Sequence, residues 1–216
     1  MEIWNNVFME YYRDDAGKLT KLSKQNVDTG MGFERMCTVL QQKSSVYETD
    51  LFQPMIKVIT SSIKHATHKN FSHEEHDKRV RIIADHARTS FMLINDGLIP
   101  SNVGTGYVLR MIIRRMTYNL MLLRELSTDE YQLFIADLLA SVQFLRPFKH
   151  EEIMRVMMNE ITLFHKTIKH GMQILATIVD ELKQSRLGTI DGEHAFKLYD
   201  TYGFPLELTK EIAKES

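Results

Sequence analysis

The stretch Val27-Asp28-Thr29-Gly30-Met31-Gly32-Phe33-Glu34-Arg35-Met36 sets the reading of this chain. A carboxylate, two glycines and a Glu-Arg pair fall together where an extended segment gives way to the run Phe33, Met36, Val39, Leu40, whose spacing of three and four marks a helix. Gly30 and Gly32 lack the side chain that keeps a ligand off the main chain, and they permit φ > 0 where a strand turns sharply. Arg35 falls in the first helical turn, where a planar, permanently charged fork suits a polyphosphate. Asp28, just ahead of the glycines, can hold an ammonium group. By itself a Gly-x-Gly followed by an arginine serves a structural turn with a surface arginine equally well.

Outward from this stretch, residues 3–13 are aromatic and β-branched, 14–17 read as a turn, 18–22 as a returning strand and 26–29 as the approach to the glycines. Past Ser44-Ser45 the period becomes helical over 50–63, 74–96, 105–124, 128–144, 150–184 and 191–202, with Gly97, Pro100, Pro147, Gly188 and Gly203 as punctuation. The expected fold is mainly α. A short antiparallel β piece with one helix over residues 1–45 precedes a helical domain over 46–216.

Composition fits a globular protein, with 44% hydrophobic and 25% charged residues. No apolar run approaches the ~20 residues that span a bilayer, so no membrane partner is expected. Cys37 is the only cysteine, which rules out an internal disulfide and points to a reducing, cytoplasmic compartment. The formal net charge of -1 conceals a local stripe, Arg110, Arg114, Arg115 and Arg124, with no acidic residue among them. Arg110 and Arg114 share a helix face, either as a solvated surface or as contacts to successive phosphates. His65, His68, His73 and His76 cluster, but His73-Glu74-Glu75-His76 has the wrong spacing for His-Glu-x-x-His. A polar connection is expected there, with no metal and no zinc site.

The decapeptide around Gly30 resembles motif 3 of class II aminoacyl-tRNA synthetases, in the wording found in alanyl-tRNA synthetases. Similar blocks follow in order: Glu2-Ile3-Trp4-Asn5-Asn6-Val7-Phe8-Met9, Tyr47-Glu48-Thr49-Asp50-Leu51-Phe52, Arg81-Ile82-Ile83-Ala84-Asp85-His86-Ala87-Arg88, Pro100-Ser101-Asn102 with Gly106-Tyr107-Val108-Leu109-Arg110, and Leu198-Tyr199-Asp200-Thr201-Tyr202-Gly203-Phe204-Pro205. The resemblance implies the last part of a class II catalytic domain followed by a helical tRNA-recognition domain. Motifs 1 and 2 are then expected on a missing N-terminal segment or a second chain, and the chain alone is expected to be inactive.

Residue by residue, Asn5 and Asp28 match family positions around the substrate alanine. The carboxylate pairs with the α-ammonium, the amide orients it, and a small pocket beside Gly30 limits the side chain to a methyl group. Arg35 matches the motif 3 arginine at the ATP phosphates, with Gly30 and Gly32 beside it. The implied reaction activates alanine with ATP, Mg²⁺ being the usual partner, and transfers it from the adenylate to tRNA(Ala). Asn102 and Asp200 match positions that read the G·U wobble pair of the acceptor stem, with Arg110, Arg114 and Arg115 toward the phosphates. Their plainer roles are a helix N-cap for Asn102 and a helix-end residue for Asp200.

Thr105 and Met111 stand where the family commonly has basic residues, with Thr117-Tyr118-Asn119 after the Arg114-Arg115 pair, so the RNA-facing stripe reads as diluted. A free-standing, non-catalytic tRNA-binding relative and a helical interaction module built on the same scaffold are the alternatives to a part of an alanine-tRNA ligase.

Overall fold

The computed structural model describes residues 2–63, 71–184, 189–202, 204 and 206–215. Two compact units divide at Met1–Pro54 and Met55–Ser216. His65 and His68 lie outside the described residues.

The first unit begins with an antiparallel hairpin, β1 (Trp4–Arg13) and β2 (Leu19–Met31). Its turn is closed by Asp14, whose carboxylate accepts from the Lys18 amide at 2.8 Å, and by Gly17 at φ 83°, a left-handed conformation that favours glycine. β2 is one strand where the sequence suggests two pieces. Met9 pairs with Asn26 and Tyr11 with Lys21, so the single residue Glu10 faces the four residues 22–25. That irregularity interrupts the ladder without ending the strand. Gly32 N–H donates to the Ile3 carbonyl at 2.9 Å and caps helix α1 (Phe33–Leu40). Neither Gly30 nor Gly32 has positive φ, contrary to the expected sharp glycine turn. The strand passes into the helix without a left-handed residue: at Gly30 the missing Cβ leaves open space, and at Gly32 it leaves room for the Arg35 side chain. A 3₁₀ turn, Val46–Glu48, follows.

The second unit holds α2 (Gln53–Ile63, which begins at its border), α3 (His73–Asn95), α4 (Gly104–Leu123), α5 (Thr128–Ser141), α6 (His150–Gln184), α7 (Gly192–Tyr202) and α8 (Leu206–Glu215). The chain is mainly α with a short antiparallel β element, as the sequence predicts. α8 was not distinguished by periodicity.

Helix ends follow local chemistry. Ser72 with Glu75 and Ser127 with Glu130 form reciprocal capping boxes at the starts of α3 and α5. The Ser72 and Ser127 amide and hydroxyl donors hold both carboxyls below the usual glutamate range. At the end of α3, Gly97 (φ 92°) donates to the Ile94 carbonyl at 2.8 Å and Leu98 to Leu93 at 3.0 Å, a Schellman closure that turns the chain toward α4.

α4 is the central helix, packed on α3 and α6. Ala84 and Ala87 of α3 are fully buried with Leu109, Ile113 and Met116 of α4, and the small alanines allow close approach. α6 is 35 residues long, about 50 Å at 1.5 Å per residue, and serves two cores. Its start buries Ile153, Met157 and Ile161, while Phe164, Ile168 and Leu175 further along join Tyr118 of α4, Leu198 of α7, Phe204 between α7 and α8, and Leu208 and Ile212 of α8. Thr117, Tyr118 and Asn119 face this interior, and Asn119 Oδ1 accepts from the buried Arg79 at 3.0 Å. The expected dilution of surface charge therefore does not extend to these three positions. They are uncharged because they are core.

Candidate functional site

In an antiparallel pair, directly opposed residues share a face and alternate residues keep it. Asn5 stands opposite Gly30, and Val7 opposite Asp28, so Asn5, Asp28 and Gly30 lie on one face of the hairpin. Asn5 and Asp28 are diagonal neighbours, roughly 7–8 Å apart by strand geometry, a gap that an ammonium can bridge. A Cβ added at Gly30 would meet nothing within 4 Å, so the space above this face is open. The opposite face carries a polar chain of its own: Trp4 Nε1–H donates to Thr29 Oγ1, whose hydroxyl donates to Asn6 Oδ1 at 2.8 Å.

Arg35 lies just beyond, on the first turn of α1. Its Nη1 donates to the Glu2 carbonyl at 2.9 Å, which takes one of five N–H donors and fixes the guanidinium beside the strand end. Its aliphatic stem covers Gly32, where an added Cβ would come within 3.1 Å of Arg35 Cδ and 3.3 Å of its Cβ and Cγ. A side chain at position 32 would therefore press on the Arg35 stem and shift it by a few tenths of an ångström.

The second candidate site is in the helical unit. Asn102 is exposed in the loop ahead of α4, but the N-cap of α4 is Val103, so Asn102 is not the capping residue. Its Oδ1 instead accepts from Arg110 Nη1. The loop is shaped by Gly106, where an added Cβ would stand 2.6 Å from the Ile99 carbonyl oxygen and 2.3 Å from Ser101 Oγ. Asp200 is exposed on α7, and Tyr199 beside it meets Tyr107 of α4 edge-on with ring centroids 6.1 Å apart. The same tyrosines line a cleft of about 470 Å³ with Ala195, Phe196 and Leu206. The first turn of α4, a few residues past Asn102, and the second half of α7 are therefore in contact.

The arginines are less available than their sequence suggests. Arg114 is 8% exposed, and its Nε donates to Glu160 Oε1 of α6 at 2.7 Å, with the guanidinium over the Phe164 ring. Arg110 Nε stands 3.4 Å from the same oxygen, an ion-pair distance without hydrogen-bond alignment. Arg115 Nη1 lies 3.3 Å from His86 Nε2, and because a guanidinium only donates, that ring nitrogen accepts while Nδ1 faces Asp85 Oδ2 at 3.1 Å. Arg124 donates to the Ser62 carbonyl and pairs with Glu130. The stripe read as a phosphate face is largely committed to neighbouring helices.

Sequence reading missed Glu160. The signal was present: a carboxylate at the buried spacing of Ile153, Met157, Ile161 and Phe164 must be paired, and two arginines on a neighbouring helix are the partners. Among the described residues no group of three or more His, Cys, Asp or Glu could hold a metal ion, and no helix is long and apolar enough to cross a membrane.

The family model described as "tRNA synthetases class II (A)" matches residues 1–216. The chain belongs to this family. It is 43% identical over 218 residues to the alanine–tRNA ligase of Thermotoga petrophila, 44% over 217 to that of Thermotoga maritima, and 43% over 218 to that of Burkholderia vietnamiensis. Each alignment covers 100% of this chain and 24% of the relative, so the chain spans about a quarter of the length of these enzymes.

Proposed function

We propose that this chain contributes two parts to an alanine–tRNA ligase: an alanine- and ATP-facing edge on the hairpin, and a reader of the tRNA(Ala) acceptor stem on the helical unit. On the hairpin, Asp28 accepts from the α-ammonium of alanine and Asn5 Oδ1 takes a second of its three protons. Gly30 leaves the main chain open on that face. A carboxylate oxygen of alanine attacks the α-phosphorus of ATP, pyrophosphate departs, and Arg35 offsets negative charge on the phosphates as the bond breaks. A hydroxyl of the terminal tRNA ribose then attacks the adenylate carbonyl and AMP leaves. Positioning and charge neutralisation suffice for both steps, without a protein nucleophile.

Enzymes of this family use ATP, generally with Mg²⁺. Among the described residues no group of three or more His, Cys, Asp or Glu could hold a metal ion, and no step above passes through one. The rest of the catalytic sheet would come from further chain or from a partner chain.

On the helical unit, Asp200 accepts from the guanine 2-amino group that a G·U wobble leaves without a Watson–Crick partner, and Asn102 meets the uracil side in the same shallow minor groove. The observation that carries this reading is the Tyr107–Tyr199 contact. It joins α7, which bears Asp200, to the first turn of α4, just past the loop that bears Asn102, although the two are far apart in sequence. The test is binding of acceptor-stem hairpins that differ only in G·U against G·C. Preference for G·U, erased by Asp200→Ala at an unchanged salt slope, is the expected result. Equal affinities of the unmodified chain for the two hairpins would overturn it.

A further inference from the structure

Arg110 occupies a bridging position. One end of its guanidinium donates to Asn102 Oδ1 in the exposed loop, and Nε faces the buried carboxylate of Glu160, which is 3% exposed. Glu160 cannot swing away, because the same oxygen accepts from Arg114 Nε at 2.7 Å and Arg114 is itself packed over Phe164. The surface amide is thereby tied through two side chains to the first half of α6.

This arrangement decides which way the amide faces. A guanidinium has only donors, so the Asn102 atom turned toward it must be the carbonyl oxygen. The NH₂ then points the other way, toward solvent. We propose that Arg110 and Glu160 are positioning residues that lock Asn102 as a hydrogen-bond donor, so that Asn102 and Asp200 present one donor and one acceptor to the minor groove. A wobble pair is complementary to that pair of groups. Guanine offers its unpaired 2-amino donor to Asp200, and the neighbouring uracil O2 retains a lone pair for the Asn102 NH₂. In a G·C pair one N–H of that amine is taken by cytosine O2, so a single donor remains and the pyrimidine oxygen lies in a different place from that of the wobble uracil. Free rotation of Asn102 would blur the distinction, since a flipped amide offers an oxygen where a donor is needed.

The proposal rests on the wobble-reading role given to Asn102 above, and the variants separate the two. Arg110→Gln removes the bridge but leaves the Arg114–Glu160 pair intact, so folding is retained, and Glu160→Gln loosens the bridge from its buried end. Hairpin binding is measured for the unmodified chain, both variants, Asn102→Ala, and the Arg110→Gln/Asn102→Ala double variant. Both positioning variants are expected to lower the G·U over G·C preference to the level of Asn102→Ala, a several-fold loss, with no further fall in the double variant. The salt slope is expected to stay unchanged. An Arg110 acting on a phosphate would instead lower affinity for both hairpins alike and reduce the slope by roughly 0.7 to 0.9.

Retained preference in Arg110→Gln, while Asn102→Ala loses it, overturns the positioning role and leaves the wobble reading standing. Should the unmodified chain bind both hairpins equally, the wobble reading falls, and the lock is judged without RNA. The Asn102 side-chain amide signal, assigned by its loss in Asn102→Asp, should report an ordered NH₂ in the unmodified chain and an averaged one in Arg110→Gln. Equal mobility in the two overturns the lock.

Discussion

Arg114 and Glu160 hold one another inside the helical unit, Nε to Oε1 at 2.7 Å, with 10% and 4% of their side chains exposed. Removing Arg114 takes the aligned donor from a buried carboxylate and leaves it only Arg110 Nε, at 3.4 Å and out of hydrogen-bond alignment, against a cost of up to about 3–5 kcal/mol for breaking a buried pair. Arg114→Ala is therefore expected to lower stability by that order in urea unfolding. Arg114→Met/Glu160→Met, which removes both charges and fills the space, should recover most of the loss. A fully stable Arg114→Ala chain with a reduced RNA salt slope would mean that the guanidinium serves phosphates instead.

Gly106 is the position where the recognition loop is most tightly constrained. Its Cβ would sit 2.6 Å from a backbone carbonyl oxygen, and the Ser101 amide donates to the Gly106 carbonyl at 3.1 Å, so neither side can give without moving the loop. Gly106→Ala is expected to cost about 1–3 kcal/mol, as overpacking does, and to displace Asn102. Thermal unfolding measures the first effect and the G·U preference of the refolded chain the second. An unchanged melting temperature would show that the loop relaxes freely.

Much of this was legible before the structure. Helices α3, α4, α5, α6 and α7 were visible as apolar spacings because each buries one stripe against α4 or α6, and packing of that stripe is what stabilises a helix in water. Motif words pointed to Asn5, Asp28, Arg35, Asn102 and Asp200 as candidates, whose roles stand as proposals. Charge patterning along one helix misled, because it cannot show what a neighbouring helix presents: Arg110, Arg114 and Asn119 each find a partner on α3, on α6 or in the loop ahead of α4, many residues away. The two motif glycines misled for a related reason. A Gly-x-Gly says that a Cβ is unwanted, and only the register shows whether it would obstruct a torsion, an arginine stem or a ligand.

His165 supplies a pH dependence. Its ring stands edge-on to Tyr131, centroids 4.8 Å apart, with Nε2 buried and unpartnered among the described residues. Burial and then the Lys169 charge hold it below the ordinary imidazole value of 6.5, against a smaller opposing effect of Glu125. The unfolded chain therefore takes up this proton at a higher pH than the folded one. Stability from the neutral ring is complete above about 6.5 and is lost as pH falls through the lower folded value. Thermal unfolding from pH 8 to 5 should fall less steeply in His165→Gln than in the unmodified chain. Parallel curves would show that the ring titrates normally.

Gly30 separates folding from ligand binding. Nothing lies within 4 Å of its missing Cβ and its φ is not positive, so Gly30→Ala should leave stability within about 0.5 kcal/mol, as surface changes away from special features do. The added methyl, however, projects beside Asn5 on the face that carries Asp28, where the side chain of alanine is proposed to lie. In an assembly that exchanges pyrophosphate into ATP with alanine, this variant should raise KM for alanine, with glycine less affected because it carries no methyl. Asp28→Ala should instead abolish exchange with both amino acids, because the ammonium loses its counter-charge. The two glycine variants differ in mechanism: Gly32→Ala presses on the Arg35 stem and should act on ATP rather than on alanine. Equal loss with alanine and glycine in Gly30→Ala, at unchanged melting temperature, would place the amino-acid side chain elsewhere than over Gly30.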